Sequence, residues 1–338
     1  MRRNKLLRET RGWHRLLTLV VVMGMLLSSC KAEKTRVYRV GVLAGLRRFA
    51  SIMDGFKEGM AELGYVEGKN IVYDVQETEF DIAIYQNIVK KFIADKVDLI
   101  LVFPTDATIE VKKATEGTDI PVIFTYASIE GTGLVNSLRE PGGNMTGVRY
   151  PVPDIAVKRF EIMRAIAPNA TRIWIPYQRD YPIVESQLEI LRPLAAAEGV
   201  TLIEFPAASP AELEAELSAR AQQADLGIDA IMFVSEPLSV TPEFFVVMGR
   251  FAREHKLPIG GTYMTVEGYN SLFGVALNPF DSGKLAAPLA DKVLKGTPAG
   301  TIPVVSQEPY IKIDYKEAQM LGLTVPESLL IQANEIVR

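Results

Sequence analysis

Three apolar runs recur along this chain. They begin at Arg39 (through Val40-Gly41-Val42-Leu43), at Asp98 (through Phe103) and at Ile120 (through Phe124). Runs of the same kind begin 133, 131 and 137 residues later, at Arg172, Asp229 and Leu257. A repeat of this length implies two similar domains rather than a solenoid, because each copy can bury its own core. Between the copies lies Pro141-Gly142-Gly143-Asn144-Met145-Thr146-Gly147-Val148-Arg149-Tyr150. Pro fixes φ and lacks an N–H, and Gly tolerates φ > 0, so this stretch is read as closing one lobe and crossing into the next. Two lobes with a short crossing enclose a cleft, and small ligands bind in such clefts.

The first 29 residues read as an export segment. Six basic side chains precede an apolar core, Leu16 to Leu27, too short to span a bilayer comfortably. The core ends in Leu27-Ser28-Ser29-Cys30, and Cys30 is the single cysteine of the chain. That pattern resembles the bacterial lipobox, which implies a lipid on Cys30 and stable membrane anchoring by two acyl chains. Residues 30–35 read as a polar tether. With the export segment removed, the net charge of −4 becomes −9. A mature chain this acidic, with no basic run, argues against nucleic-acid binding.

The remainder alternates strand and helix, the pattern of parallel sheets with helices on both faces. The expected fold is α/β: two similar, doubly wound parallel-sheet lobes joined by a hinge crossed three times. Lobe 1 comprises 36–148 plus 278–306, and lobe 2 comprises 149–277 plus 307–338. Ligands of such sheets sit beyond the carboxyl ends of the strands. That places the loops after Leu43, Phe103, Phe124, Ile175, Val234 and Ile259 around one cleft.

The order and spacing of several short motifs carry a family likeness. They are Gly55-Phe56-Lys57-Glu58-Gly59, Leu63 to Asn70, Ile120 to Phe124, Pro141 to Val148, Lys256-Leu257-Pro258, Lys295-Gly296-Thr297-Pro298 and Leu321 to Ser328. Together they resemble bacterial ABC-transporter substrate-binding lipoproteins of the type-I, two-lobe kind. The branch is the one that includes tryptophan- and tyrosine-linked uptake. The resemblance covers nearly all of the mature chain. It implies a small-molecule ligand, hinge closure and delivery to an ABC permease, by a monomer with no cofactor and no metal. Thr105 and the acid at Glu236 match the family's pattern. Elsewhere the ligand-facing loops read differently: Ala127-Ser128-Ile129-Glu130 replaces a frequent Asp-Pro, Gln178 to Pro182 an Asn-rich loop, and Glu236-Pro237 an Asp-Asn pair.

Catalysis finds little support in the residues. His255 is the one histidine left after export, and it sits in a charged helix end. A serine triad or a zinc site cannot be assembled from it. Asp106 and Glu236 could pair as glycosidase carboxylates, but one ligand-contacting acid and one helix cap is the favoured reading. No catalytic residue is assigned. The expected ligand-binding set is Arg47, Phe49, Thr105, Asp106, Ser128, Tyr150, Tyr177, Arg179, Glu236 and Tyr263. Tyr177 and Phe49 would supply stacking surface, and one of Arg47, Arg149 or Arg179 would grip a carboxylate bidentately. Tyr126 is read as core packing. The expected ligand is an aromatic or apolar organic carboxylate, with an aromatic amino acid as the alternative. The same fold used as a sensor's ligand-binding partner would need no different residues.

Overall fold

The computed structural model describes residues 36–78 and 81–338. The export segment, Cys30 and the tether lie outside the described residues. Among the described residues no helix is long and apolar enough to cross a membrane.

The first lobe is a six-stranded sheet. Its strands are β1 (Tyr38–Ala44), β2 (Ile71–Glu77), β3 (Leu99–Phe103), β4 (Val122–Ala127), β5 (Met145–Arg149) and the late β13 (Val305–Ser306). Their order is β13-β5-β4-β3-β1-β2, all parallel. Every residue of β3 and β4 is buried, as the continuous apolar runs require of strands covered on both faces. Helices α1 (Ala50–Glu62) and α8 (Pro279–Leu294) pack against each other on one face; α2 (Ile82–Ala94) and α3 (Thr105–Thr115) cover the other. The α1–α8 contact rests on glycine: a Cβ on Gly55 or on Gly283 would come within 1.9 Å of a carbonyl oxygen of the other helix.

The second lobe repeats the scheme with fewer strands. β6 (Arg172–Gln178), β7 (Thr201–Ala207), β8 (Ala230–Met232) and β9 (Ile259–Gly260) form a parallel sheet in the order β7-β6-β8-β9. Along β6 the side chains alternate between two cores, Trp174 facing one and Ile173 and Ile175 the other. Helices α4 (Val152–Ile166) and α5 (Val184–Ala197) serve the isoleucine side. Helices α6 (Pro210–Ala221) and α7 (Pro242–His255) serve the tryptophan side. Ser209 caps α6 by accepting the Glu212 N–H at 3.3 Å, the role its place before Pro210 predicts.

Two differences from the sequence reading matter for the site. Residues 145–149, read as part of the crossing, form β5, a strand of the first sheet. Gly147 interrupts the apolar run there because a Cβ would lie 2.0 Å from the Phe124 carbonyl oxygen. The chain then crosses at Tyr150-Pro151, just before α4 begins. The second difference is a small sheet after β9. A hairpin of β10 (Thr265–Val266) and β11 (Tyr269–Asn270) leads into β12 (Phe273–Ala276), which pairs with β14 (Tyr310–Asp314) and β15 (Glu335–Val337) in the order β12-β14-β15. The chain returns to the first lobe between β12 and α8 and leaves it again between β13 and β14. That makes three crossings.

Candidate functional site

A cavity of about 510 Å³, counting its open mouth, lies where the strand tips of the two sheets meet. Its first wall is aromatic. Phe49, beside the N-terminus of α1, packs on Tyr126 with ring centroids 4.6 Å apart, and Tyr126 stacks on Tyr150 at 4.6 Å and 13°. This three-ring shelf runs from the first lobe onto the crossing. A bulge between Thr125 and Ala127 puts Tyr126 at φ 54°, a strained region for a bulky residue, and turns its ring into the cavity. The Tyr126 and Tyr150 hydroxyls are anchored to the Leu277 carbonyl (3.5 Å) and the Ser235 hydroxyl (3.2 Å).

The opposite wall carries charge. Glu236 follows the tip of β8 and is buried. One of its oxygens accepts the Ser239 N–H at 2.6 Å; the other accepts Leu238 N–H at 2.8 Å and Gln178 N–H at 3.0 Å. It therefore caps the short helix 237–240 and ties it to the tip of β6. Burial nevertheless pushes its carboxyl up to about 7, against those three N–H donors and the field of Arg159.

Arg159 is a buried charge of the cavity wall that sequence reasoning missed. It projects from the middle of α4, is 1% exposed and lines the cavity. Its Nε and Nη2 donate to the Val275 carbonyl at 3.0 and 2.7 Å, and Nη1 donates to the Phe233 carbonyl at 3.2 Å. All three hydrogen bonds run to neutral oxygens. Burial lowers its pKa, opposed by the Tyr150, Tyr126 and Glu236 side chains around it. A signal was present: Arg159 interrupts the apolar stripe Ile155, Ala156, Phe160, Met163 at helical spacing, where a cation is out of place.

Of the ten expected ligand residues, Phe49, Thr105, Tyr150 and Glu236 line the cavity. Ser128 and Asp106 are buried beside it rather than lining it. The Ser128 N–H donates to the Thr105 hydroxyl at 3.0 Å and its own hydroxyl to Glu130 at 3.0 Å. Asp106 sits in the first turn of α3. One oxygen accepts the Tyr85 hydroxyl at 2.8 Å, the other is buried without a hydrogen bond, and burial raises its pKa. Tyr181, from the loop after β6, completes the wall; burial raises its phenol, with Asp106 and Glu236 adding to the effect.

The remaining four stand apart from the cavity. Arg47 pairs with Glu77 at 3.7 Å, and Arg179 pairs with Glu212 at 2.9 Å and with the Pro206 carbonyl. Tyr177 packs at the margin of the core, in the field of Glu204 and Arg192. Tyr263 turns to the small sheet, its hydroxyl 3.2 Å from Asp314 and its ring under the Lys312 ammonium. Arg149, the third candidate grip, is held by Glu130 at 2.6 Å, Ser306 at 2.7 Å and Asp154 at 3.3 Å. Tyr126, read as core, is buried in the core and also lines the cavity. His255 packs against Phe251, and among the described residues no three acids, histidines or cysteines cluster as a metal site.

Comparison with known proteins agrees with this geometry. Residues 45–337 match the model of a family described as ABC transporter substrate binding protein. A tyrosine-binding protein of Clostridioides difficile is 30% identical over 258 residues, which cover 75% of this chain and 70% of that protein. An ABC domain from Streptococcus pneumoniae, solved in complex with L-Trp, superposes with a TM-score of 0.75 at 27% identity, covering 89% of this chain and 100% of that one. A ligand-free, open substrate-binding protein from Clostridium difficile superposes with a TM-score of 0.68 at 23% identity, covering 89% and 99%. With a cleft between two hinged lobes and a family match across nearly all of its described length, the chain belongs to the ABC transporter substrate-binding protein family.

Proposed function

We propose that this protein captures an aromatic amino acid between its lobes and delivers it to an ABC permease from outside the cytoplasm. The observation that carries this reading is the pairing of an aromatic shelf with buried groups of both charge signs across one cavity. A flat side chain fits the shelf of Phe49, Tyr126 and Tyr150, and stacking adds about 1 kcal/mol per ring pair beyond area burial. The buried acid Glu236 favours a ligand carrying an ammonium over the deaminated carboxylate that the loop residues alone suggest. The tyrosine-binding and L-Trp-bound relatives point the same way.

Delivery involves closure about the three crossings, with the lobe boundaries near 148/149, 277/278 and 306/307. The protein acts as a monomer held to the membrane by a lipid on Cys30. Cys30→Ala then moves it from the membrane to the soluble envelope fraction; identical fractionation of the two proteins defeats the anchoring. Calorimetry with matched pairs, L-Trp against 3-indolepropionate and L-Tyr against its deaminated acid, tests the ligand class. Tighter binding of the amino acids, lost in Glu236→Gln, is expected. Preference for the deaminated acids restores the carboxylate reading, and binding of neither, with a sugar bound instead, removes both. Ligand uptake that survives deletion of the protein, with loss of a taxis response, would mark it as a sensor's partner.

A further inference from the structure

A buried guanidinium whose hydrogen bonds all end on neutral oxygens is costly in a folded protein, because a desolvated charge is normally matched by an opposite one. Arg159 is such a group. Elsewhere the arginines named as candidate grips already hold acids: Arg149 has Glu130 and Asp154, and Arg179 has Glu212. Of Arg159's five N–H bonds, three are donated to Val275 and Phe233, leaving one on each terminal nitrogen. The Tyr150 hydroxyl, a neutral oxygen, is a further hydrogen-bond partner of the group. The acid whose field reaches it is Glu236, itself engaged by three backbone donors and raised toward neutrality by burial, so compensation within the protein is partial.

We propose that Arg159 receives the ligand's carboxylate through the terminal N–H bonds that its backbone contacts leave, sharing that end with the neutral Tyr150 hydroxyl, while its carbonyl contacts hold the guanidinium plane fixed. This rests on the reading of the cavity as an amino-acid site. It makes the second lobe the holder of the charged head group, with the carboxylate at Arg159 on α4 and the ammonium toward Glu236. The aromatic shelf of the first lobe and the crossing takes the ring. Binding then completes an ion pair that the protein's own residues leave open, and only an anion small enough to enter beside Tyr150 can complete it.

A purely structural Arg159, which merely ties β12 to the tip of β8, makes different predictions, so the test compares ligands as well as variants. Calorimetry is run with L-Trp and with tryptamine, which lacks the carboxylate, on wild type, Arg159→Lys and Arg159→Met, each checked by circular dichroism. Loss of a charge-assisted contact of this kind weakens L-Trp binding about 100-fold in Arg159→Met. Tryptamine binding should change little. Arg159→Lys should recover part of the loss, since lysine keeps the charge but not the fork. Equal losses for L-Trp and tryptamine, or an L-Trp preference that persists in Arg159→Met, overturn the assignment. If Arg159→Met fails to fold, Arg159→Lys carries the comparison: a narrowed preference supports the assignment and an unchanged one overturns it. A second arm does not depend on the amino-acid reading. Sodium acetate, against sodium chloride at equal ionic strength, should raise the melting temperature of wild type and not of the Arg159 variants. Should wild type bind neither L-Trp nor L-Tyr, the amino-acid reading falls, and the acetate arm alone decides Arg159: an acetate effect lost in the variants sustains it, and its absence in wild type overturns it.

Discussion

At the amino ends of their strands the two lobes carry the same chemistry. Asp98 accepts the Arg39 N–H at 2.8 Å and returns its own N–H to the Arg39 carbonyl at 2.8 Å. Asp229 does the same with Arg172, at 2.8 and 2.8 Å. Ile100 donates to the Pro121 carbonyl and Ile231 to the Pro258 carbonyl, both at 2.9 Å. At the carboxyl ends the likeness stops. One lobe continues Phe103-Pro104-Thr105 straight into α3, while the other continues Phe233-Val234-Ser235-Glu236 into a capped short helix. The pole sets strand register and is saturated with partners. The cleft end holds an orphaned Asp106 oxygen, a Glu236 displaced toward neutrality and an Arg159 without a carboxylate. Repetition marks what the fold needs, and divergence falls at the candidate ligand cleft.

The sharpest way to break this contrast is at the pole. Asp229 accepts from the Thr171 and Arg172 N–H groups and from the Arg172 guanidinium. Although burial pushes its carboxyl up, those donors hold it below the ordinary aspartate value. Asp229→Ala removes all of these contacts, leaving the guanidinium with Asp225 alone, and should destabilise the protein by about 3 kcal/mol, leaving ligand affinity unchanged. Denaturant melts and calorimetry on one preparation check this. A large affinity loss without a stability loss would reverse the roles of the two ends.

A smaller effect, read in affinity, is expected on the cleft side. Tyr150→Ala removes the ring that faces Tyr126 and should weaken aromatic amino-acid binding by about 2 kcal/mol, while Tyr150→Phe, which keeps the ring and loses the hydroxyl's contacts with Ser235 and Arg159, should cost about 1 or less. Equal losses in calorimetry would mean that the hydroxyl, not the ring, meets the ligand.

Much of the frame was legible because periodicity and caps are local signals. Residues 82–94 and 184–197 are helical over the span their apolar spacing indicates. The two- and three-residue strands after β9 are too short to show a period, and β5 was hidden by Gly147, whose place against Phe124 is a tertiary fact. The site was harder. A loop position says that an arginine is near the cleft but not which acid it meets. Glu77, Glu130 and Glu212, which hold Arg47, Arg149 and Arg179, arrive from distant or independent segments. Tyr126 enters the cavity only because a bulge redirects it. Arg159 alone could have been found, as a cation on an apolar helical stripe.

The acid of the cleft gives a pH test of intermediate size. Glu236 has a folded value near 7 against 4.5 for the free side chain, so the folded protein holds the extra proton between those values. Its contribution to stability is therefore greatest below pH 4.5 and falls as pH rises through 7. If the carboxylate receives an ammonium, ligand affinity moves the opposite way, falling about fivefold from pH 7 to 6 as the acid protonates. Asp106 and Tyr181, whose values are also raised, lie nearby, so Glu236→Gln must flatten the profile for the assignment to hold. A slope that survives in Glu236→Gln transfers the role to Asp106.

The smallest effect belongs to the hinge, where the contrast between pole and cleft is at its weakest. Arg149 ends β5, one residue before the crossing. It holds Glu130 of the first lobe, Ser306 on the returning strand β13 and Asp154 at the start of α4. Its side chain is 18% exposed and that of Asp154 66%, so the link to the second lobe is the wetter one. Such pairs contribute about 0.5–1 kcal/mol, and here that energy favours one angle between the lobes. Arg149→Ala should broaden the distribution of lobe angles, seen as a larger radius of gyration without ligand in solution scattering, and should shift affinity about threefold. Asp154→Ala should do less, and salt should mimic it by screening. A loss above about 30-fold in Arg149→Ala, some 2 kcal/mol, exceeds what an exposed network can supply. It would return Arg149 to the role the sequence first suggested, a residue that grips the ligand itself.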